Sequence, residues 1–308
     1  MSIDRIGSAA NAQMMLAQIQ KAEVALNKDN QQVVTGKFAG TYSGYGDKVA
    51  VMEAARTARA HADANVAAAQ QASSRLDLQD TQLSQLGDLA DEVRQTLTKA
   101  SADQDATSLM SQLQGFFNQA TEILNAKDAN GYIFAGDNNQ VPPVSVSSLS
   151  DLAALASPGA AFTNGTIKAT IRVGDTQTVQ VGMLASDIGT QLFSLFQQVA
   201  QFDAGNAFDT KTNAAQQSFL ESTVQSSTTV TEGINQQTAA NGINYQLVDN
   251  TMTRLQATSG IYKSFVSNIE DVDIAGALSR LNQDQIALQA SFQLTSTLNK
   301  MSLLDFLR

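Results

Sequence analysis

Few residues in this chain could carry bond chemistry. There is one histidine, His61, and no cysteine in 308 residues. Thiolate nucleophiles, thiolate zinc sites and disulfides are therefore excluded, and so is a multi-histidine metal centre. His61 could serve as a general base, but it stands in the Ala-rich stretch ARTARAHADANVAAA. Asp63 is nearby and no serine or metal partner lies at a working spacing, so a solvated helix position is the better reading. Asp271 and Asp273 could suggest a cation site. Asp-x-Asp here lacks the glycine and the twelfth-position glutamate of a calcium loop, and a helical pattern starts directly after it, as expected of N-caps. Gly36, Gly40, Gly44 and Gly46 form a Gly-rich segment with Tyr42 and Tyr45. It follows no strand pattern, and Gly-x-Gly alone does not make a phosphate cradle. No nucleophile is paired with a base. The residues predict no catalytic site, no cofactor and no metal, and a protein that is not an enzyme.

The elements that would position those residues are mostly helices. Alanine supplies 45 residues and glutamine 33, and the three prolines all lie between Pro142 and Pro158. Both abundant residues are good helix formers, and the Pro-free flanks tolerate long helices. Much of the 43% apolar content is alanine, which buries little area per residue and favours thin helix-on-helix seams. From Ile234 through Tyr245, Val248, Met252, Leu255, Tyr262 and Val266 to Ile269, a seam advances by threes and fours, with polar Thr238, Asn241 and Ser259 in it. This predicts a helix of about 50 residues over 217–266, about 75 Å long. Leu83, Leu86, Ala90, Val93 and Leu97 repeat the device, and Leu109, Leu113, Phe116, Ala120 and Ile123 resume it after a break at 98–108. Ser101-x-x-Gln104 has capping-box spacing and predicts a helix start inside that break.

The chain ends carry shorter seams. Ala12, Leu16, Ile19, Glu23, Leu26, Asn30 and Val33 form one; Ile274, Leu278, Leu281, Gln285, Leu288 and Phe292 form the other. Gly36 is placed to stop the first as a left-handed C′ residue, and the five-residue step from Ile269 to Ile274 marks a joint before the second. Glu23, Asn30 and Gln285 make these seams marginal if paired only with each other. The terminal helices are therefore expected to pack between subunits through Leu16, Ile19, Leu26, Val33, Leu278, Leu281, Leu288, Phe292, Leu303, Leu304 and Phe306.

Residues 131–216 differ. They hold every proline and two alternating runs, Ile167 to Val173 and Val179 to Met183. A two-residue loop would set their apolar rows on opposite faces, whereas an odd-length loop pairs Ile171 with Val179 and Ala169 with Val181. A helix carrying Ile188, Leu192, Leu195, Phe196 and Val199 follows, expected to be capped at Ser186 or Asp187. The predicted fold is mainly α: an elongated antiparallel helical rod or coiled coil with a small inserted α+β domain. Its segments are an N-terminal assembly helix and loop (1–47), the rod (48–130 and 217–270), the middle domain (131–216) and a C-terminal assembly helix (271–308). With 19 basic against 29 acidic residues and no basic run, nucleic acid and anionic membranes are not expected partners. No run of about 18 apolar residues spans a bilayer, and the start, MSIDRIGSAANAQMM, lacks the apolar core of a cleaved signal.

Three pieces carry a family likeness. Val33-Val-Thr-Gly-Lys37, Ala126-Lys-Asp-Ala-Asn-Gly-Tyr-Ile-Phe-Ala-Gly136, and the end from Ile269-Glu-Asp-Val-Asp-Ile-Ala275 to Ser302-Leu-Leu-Asp-Phe-Leu307 resemble the bacterial flagellin superfamily over most of 1–140 and 215–308. Tyr132-Ile-Phe-Ala-Gly136 and the Leu-Leu-Asp-Phe-Leu ending are most like the branch that joins hook to filament. The resemblance implies an extracellular flagellar subunit, exported unfolded by the type III route and assembled as a ring or helical homo-oligomer. It also implies neighbouring hook-associated protein and flagellin subunits, and an export chaperone. A filament subunit stays open, as does a helical module whose middle domain holds a ligand by Tyr132, Phe134 or Phe162.

Overall fold

The structure, a computed structural model, describes residues 3–174, 177–208 and 211–306, with side-chain surroundings for residue 10 and for residues 13–297 within those ranges. Helix α1 (Ile3–Thr35) leads through a 3-10 turn (Tyr42–Tyr45) into α2 (Lys48–Ala102) and α3 (Leu109–Leu124). A two-residue hairpin, β1 (Lys127–Asp128) and β2 (Gly131–Tyr132), is followed by α4 (Leu149–Ala154) and a 3-10 turn at Pro158–Ala161. The hairpin β3 (Thr170–Arg172) and β4 (Thr178–Gln180) precedes α5 (Ala185–Gly205), α6 (Ala214–Glu270) and α7 (Ile274–Phe306). The chain is mainly helical, and among the described residues the strands form two separate antiparallel pairs. It divides into a first unit, Met1–His61 with Thr258–Arg308, and a second, Ala62–Ala257.

The second unit holds the main core. Within it α2 and α6 run antiparallel: Asn241 Nδ2 donates to Leu76 O at 2.9 Å and Gln217 Nε2 to Ser101 O at 3.0 Å. Asn241, one of the polar entries in the seam, is buried and ties α6 to the α2 backbone. On α3 the buried face is Leu109, Leu113, Phe117, Ala120 and Leu124. Phe116 and Ile123 are only half-buried, so the stripe turns one residue from the expected one, toward α5. There Phe117 meets Phe193 and Phe196 with centroids 5.2 and 5.9 Å away, geometries that favour tilted and edge contacts.

The hairpin has the odd-length loop. Ile171 pairs with Val179, and Val181 N donates to Ala169 O at 2.9 Å. Val173 N donates to Gln177 O, which leaves three residues in the turn, with Gly174 at φ 103. Val173, Val179 and Val181 then share one face and bury against Ala69, Ala72, Leu76 and Val248. Two start signals were misplaced. Ser101 and Gln104 end a helix instead of beginning one: Gln104 takes φ 53 and Asp105 N donates to Ala100 O, the six-to-one bond of a Schellman stop. Helix α5 starts at Ala185 without a side-chain cap of its own, because Phe134 O and Asn164 Oδ1 from distant loops accept its first N–H groups.

Candidate assembly interface

The first unit is built from α1, the 3-10 turn, the start of α2, the end of α6, and α7. Thr35 is the last residue of α1, and Gly36, at φ 69, stops the helix with its N–H on Gln32 O at 2.8 Å. The chain leaving α1 crosses the chain entering α7. Phe38 N donates to Glu270 O at 2.7 Å, Val272 N donates to Gly36 O at 2.9 Å, and Lys37 faces Asp271. Asp273 caps α7 by accepting from Ala275 N at 3.1 Å, while Asp271 accepts from the Ser267 hydroxyl. The C-terminus of α1 thus meets the N-terminus of α7, and the two helices pack antiparallel.

A cluster of charges locks this joint. Glu270, whose side chain is largely buried, accepts from Lys37 Nζ and, at 2.8 Å, from Arg56 Nη2. Those two donors, Lys37 first, hold its carboxyl below the ordinary value of 4.5. Arg56 also donates to Glu53 at 2.7 Å and to Tyr42 Oη at 3.1 Å. Below them Arg280 donates to Gln32 Oε1 at 3.1 Å and stands 3.4 Å from Asp29. Tyr45 is buried beside Met52, Ala55 and Val266, its hydroxyl donating to Ala39 O at 2.9 Å. Neither Arg56 nor Arg280 was signalled by local spacing; Lys37 lay inside the Val33–Lys37 motif and Glu270 inside the Ile269–Ala275 motif, and the ion pair between them gives both motifs a physical role.

Along the α1–α7 pair the intramolecular seam is thin. On α7 it runs through Ala277, Leu281, Asp284, Leu288, Ser291 and Thr295, mostly small or polar residues, and on α1 through Ile19, Leu26, Asp29 and Val33. Of the proposed packing positions, Ile19 is buried; Leu26, Val33, Leu281 and Leu288 are half-buried; Leu16, Leu278 and Phe292 are exposed. Glu23, Asn30 and Gln285 face solvent. The side chains of Leu303, Leu304 and Phe306 lie outside the described residues. Exposed Met14, Val24, Val34, Ile286 and Leu294 add to the outward apolar surface. Among the described residues, 14 of the 19 exposed large apolar side chains belong to the first unit, against 6 of the 48 buried apolar ones.

His61 is exposed on α2. Among the described residues no group of three His, Asp or Glu is gathered to hold a metal, and no helix is long and apolar enough to cross a membrane. Phe134 is buried in the core, Phe162 packs on Phe193 at 5.0 Å, and Lys127 covers the Tyr132 ring at 4.3 Å. Those three aromatics therefore form no open stacking platform.

Comparison with known proteins bears on this geometry. The bacterial flagellin N-terminal helical region matches residues 6–139 and the bacterial flagellin C-terminal helical region matches 224–307, together most of the chain. No curated protein matches the sequence. A structure assigned to a flagellar hook-associated protein from Vibrio parahaemolyticus is similar at 12% identity and a TM-score of 0.61, over 72% of this chain and 97% of that one. FlgL from Bacillus cereus is similar at 12% identity and a TM-score of 0.54, over 70% of this chain and 98% of that one. At such identity the two structures speak for the fold.

Proposed function

The chain belongs to the bacterial flagellin superfamily, and we propose that within the flagellum it is the subunit that joins hook to filament. As a family member it is a structural protein of the flagellum, not an enzyme, and its chemistry is self-assembly into flagellar polymers. The observation that carries the proposal is the apolar balance of the first unit, whose large side chains face outward from a thin internal seam. A concentration of exposed apolar side chains of this kind marks a surface that binds a neighbour. The junction role is supported by the Tyr132–Gly136 element and by the fold shared with a hook-associated protein and with FlgL. In this reading residues 1–47 and 271–308 pack between copies, with a further hook-associated protein and flagellin as neighbours, and residues 131–216 stay solvated. Export would proceed unfolded, with a chaperone covering the ends, and the absence of cysteine leaves no thiol to crosslink in transit.

Deleting the gene tests the role. A junction subunit gives cells that shed flagellin monomers into the medium; bare hooks with nothing shed would instead identify the filament subunit. A single substitution probes the mechanism. Leu288→Asp places a carboxylate at a half-buried seam position and is expected to cost several kcal/mol on packing. The variant should be exported normally yet leave flagellin in the culture medium, and full-length filaments in that strain would refute the packing role.

A further inference from the structure

One face of the first unit carries a socket and the opposite face a plug. The socket is an apolar groove of about 410 Å³ between α2 and α6, floored by Ala54, Ala55 and Ala58 and walled by Val51, Ile261 and Phe265. Its walls are open to solvent: Val51 is 52% exposed and Ile261 68%. The plug is Tyr42 on the Gly-rich loop. Tyr42 is 55% exposed, yet Arg56 holds its hydroxyl at 3.1 Å and lies 5.9 Å from the ring centroid. An aromatic held this way loses little freedom on binding, as expected of an interface anchor. Phe38, also exposed, lies on the same loop.

We propose that Tyr42, with Phe38, seats in the Val51–Ile261–Phe265 groove of a second copy of this chain, a head-to-tail contact that rests on the reading of the protein as a flagellar subunit. A chain does not fill its own groove. At about 100° per residue, Arg56 lies about 150° around α2 from the centre of the groove-lining positions. Plug and socket therefore face opposite ways, so the contact is heterologous and propagates instead of closing a symmetric pair. Size also favours a polymer contact. If a large aromatic buries roughly 150–250 Å² in full, the exposed parts of Tyr42, Phe38, Val51, Ile261 and Phe265 amount to roughly 500 Å². Stable stand-alone pairs bury about 1,200–2,000 Å², so this contact releases in the free chain and holds only where the terminal helices also pack.

The absence of cysteine makes the test direct. Flagella are purified from cells carrying the full chain with Tyr42→Cys and Ile261→Cys together, then oxidised with copper-phenanthroline. A ladder of dimers, trimers and longer species, collapsed by reductant, is expected; either substitution alone should give none, and a mixture of the two single variants should give dimers only. A second pair, Tyr42→Cys with Val51→Cys, repeats the measurement with a different wall residue. Incorporated chains that stay uncrosslinked in both pairs overturn the inference, as does dimerisation by Tyr42→Cys alone. Absence of the unsubstituted chain from purified flagella would instead overturn the subunit reading, and this contact with it.

Discussion

Glu270 is the residue on which the joint of the first unit converges. Its carboxylate takes donors from residues 233 and 214 positions away in sequence, Lys37 and Arg56, and its backbone carbonyl takes the Phe38 N–H. Glu270→Gln keeps the shape but replaces two charge-assisted bonds with neutral ones. Because Lys37 and Arg56 are partly exposed, solvent offsets much of the loss, and we expect about 1 kcal/mol at neutral pH. Glu53→Gln should cost less, since Glu53 is exposed and bonds Arg56 alone. The pH dependence has a definite sign. A carboxyl held below its ordinary value contributes stability that is present above that value and is lost as pH falls through the folded one. The gap between wild type and Glu270→Gln should therefore be full at neutral pH and close below the ordinary 4.5. Thermal unfolding across that range measures it; a gap that stays constant into acid would show that packing, not charge, is what Glu270 supplies.

At the scale of elements, two glycines separate backbone effects from packing effects. Gly36 stops α1 at φ 69, and a Cβ there would meet nothing within 4 Å. Gly36→Ala therefore costs only the left-handed penalty, about 1–2 kcal/mol, and Gly36→Asn should recover part of it. Gly189 lies inside α5, where alanine would gain about 1 kcal/mol of helix propensity. Its Cβ, however, would stand 2.8 Å from Leu124 Cδ1 and 3.0 Å from Phe162 Cζ. Overpacking of that kind costs about 1–3 kcal/mol, so Gly189→Ala should be neutral to destabilising, and a raised denaturation midpoint would disprove the clash. These elements also show what was legible in the sequence. Long helices, the Gly36 stop, the joint before Ile274 and the hairpin register all follow from local rules of period, handedness and pleat. Ser101–Gln104 misled because Ser-x-x-Gln suits a helix start while Gln104 takes the left-handed stop that glycine usually fills. The caps of α5 and the Glu270 cluster were invisible for another reason: their partners are distant in sequence, and no spacing rule reaches across them. The terminal seams could be written as rows of residues spaced by threes and fours, but that spacing does not say which flank faces the partner helix. Leu16 and Leu278 turn outward while Asp29 and Ala277 turn in, a choice made by tertiary packing.

Over the whole molecule, charge and apolar surface are sorted the same way. The second unit has 8 basic and 19 acidic residues, a net of −11, and 42 of the 48 buried apolar residues among those described. The first has 11 basic and 10 acidic residues, a net of +1, and most of the exposed large apolar side chains. A nearly neutral, apolar surface lets copies approach without mutual repulsion, whereas a strongly acidic one with a filled core keeps them soluble. The two parts should therefore differ in local stability. A helix pair joined by a seam of small and polar residues gains little from its own burial, and isolated helices of such quality are marginal in water. In the free chain, amides of α1 and α7 should open at a cost of about 1–2 kcal/mol, while those of α3 and α5 exchange only by global unfolding. In the proposed assembly neighbours cover the exposed Leu16, Val24, Leu278 and Ile286, and the terminal amides should then slow by at least about a hundredfold, which corresponds to roughly 2.7 kcal/mol of added protection. Hydrogen exchange on monomer and on purified flagella measures both states. Strong protection of residues 5–30 before assembly would mean that the α1–α7 pair is stable without neighbours, and the outward apolar surface would then need another explanation.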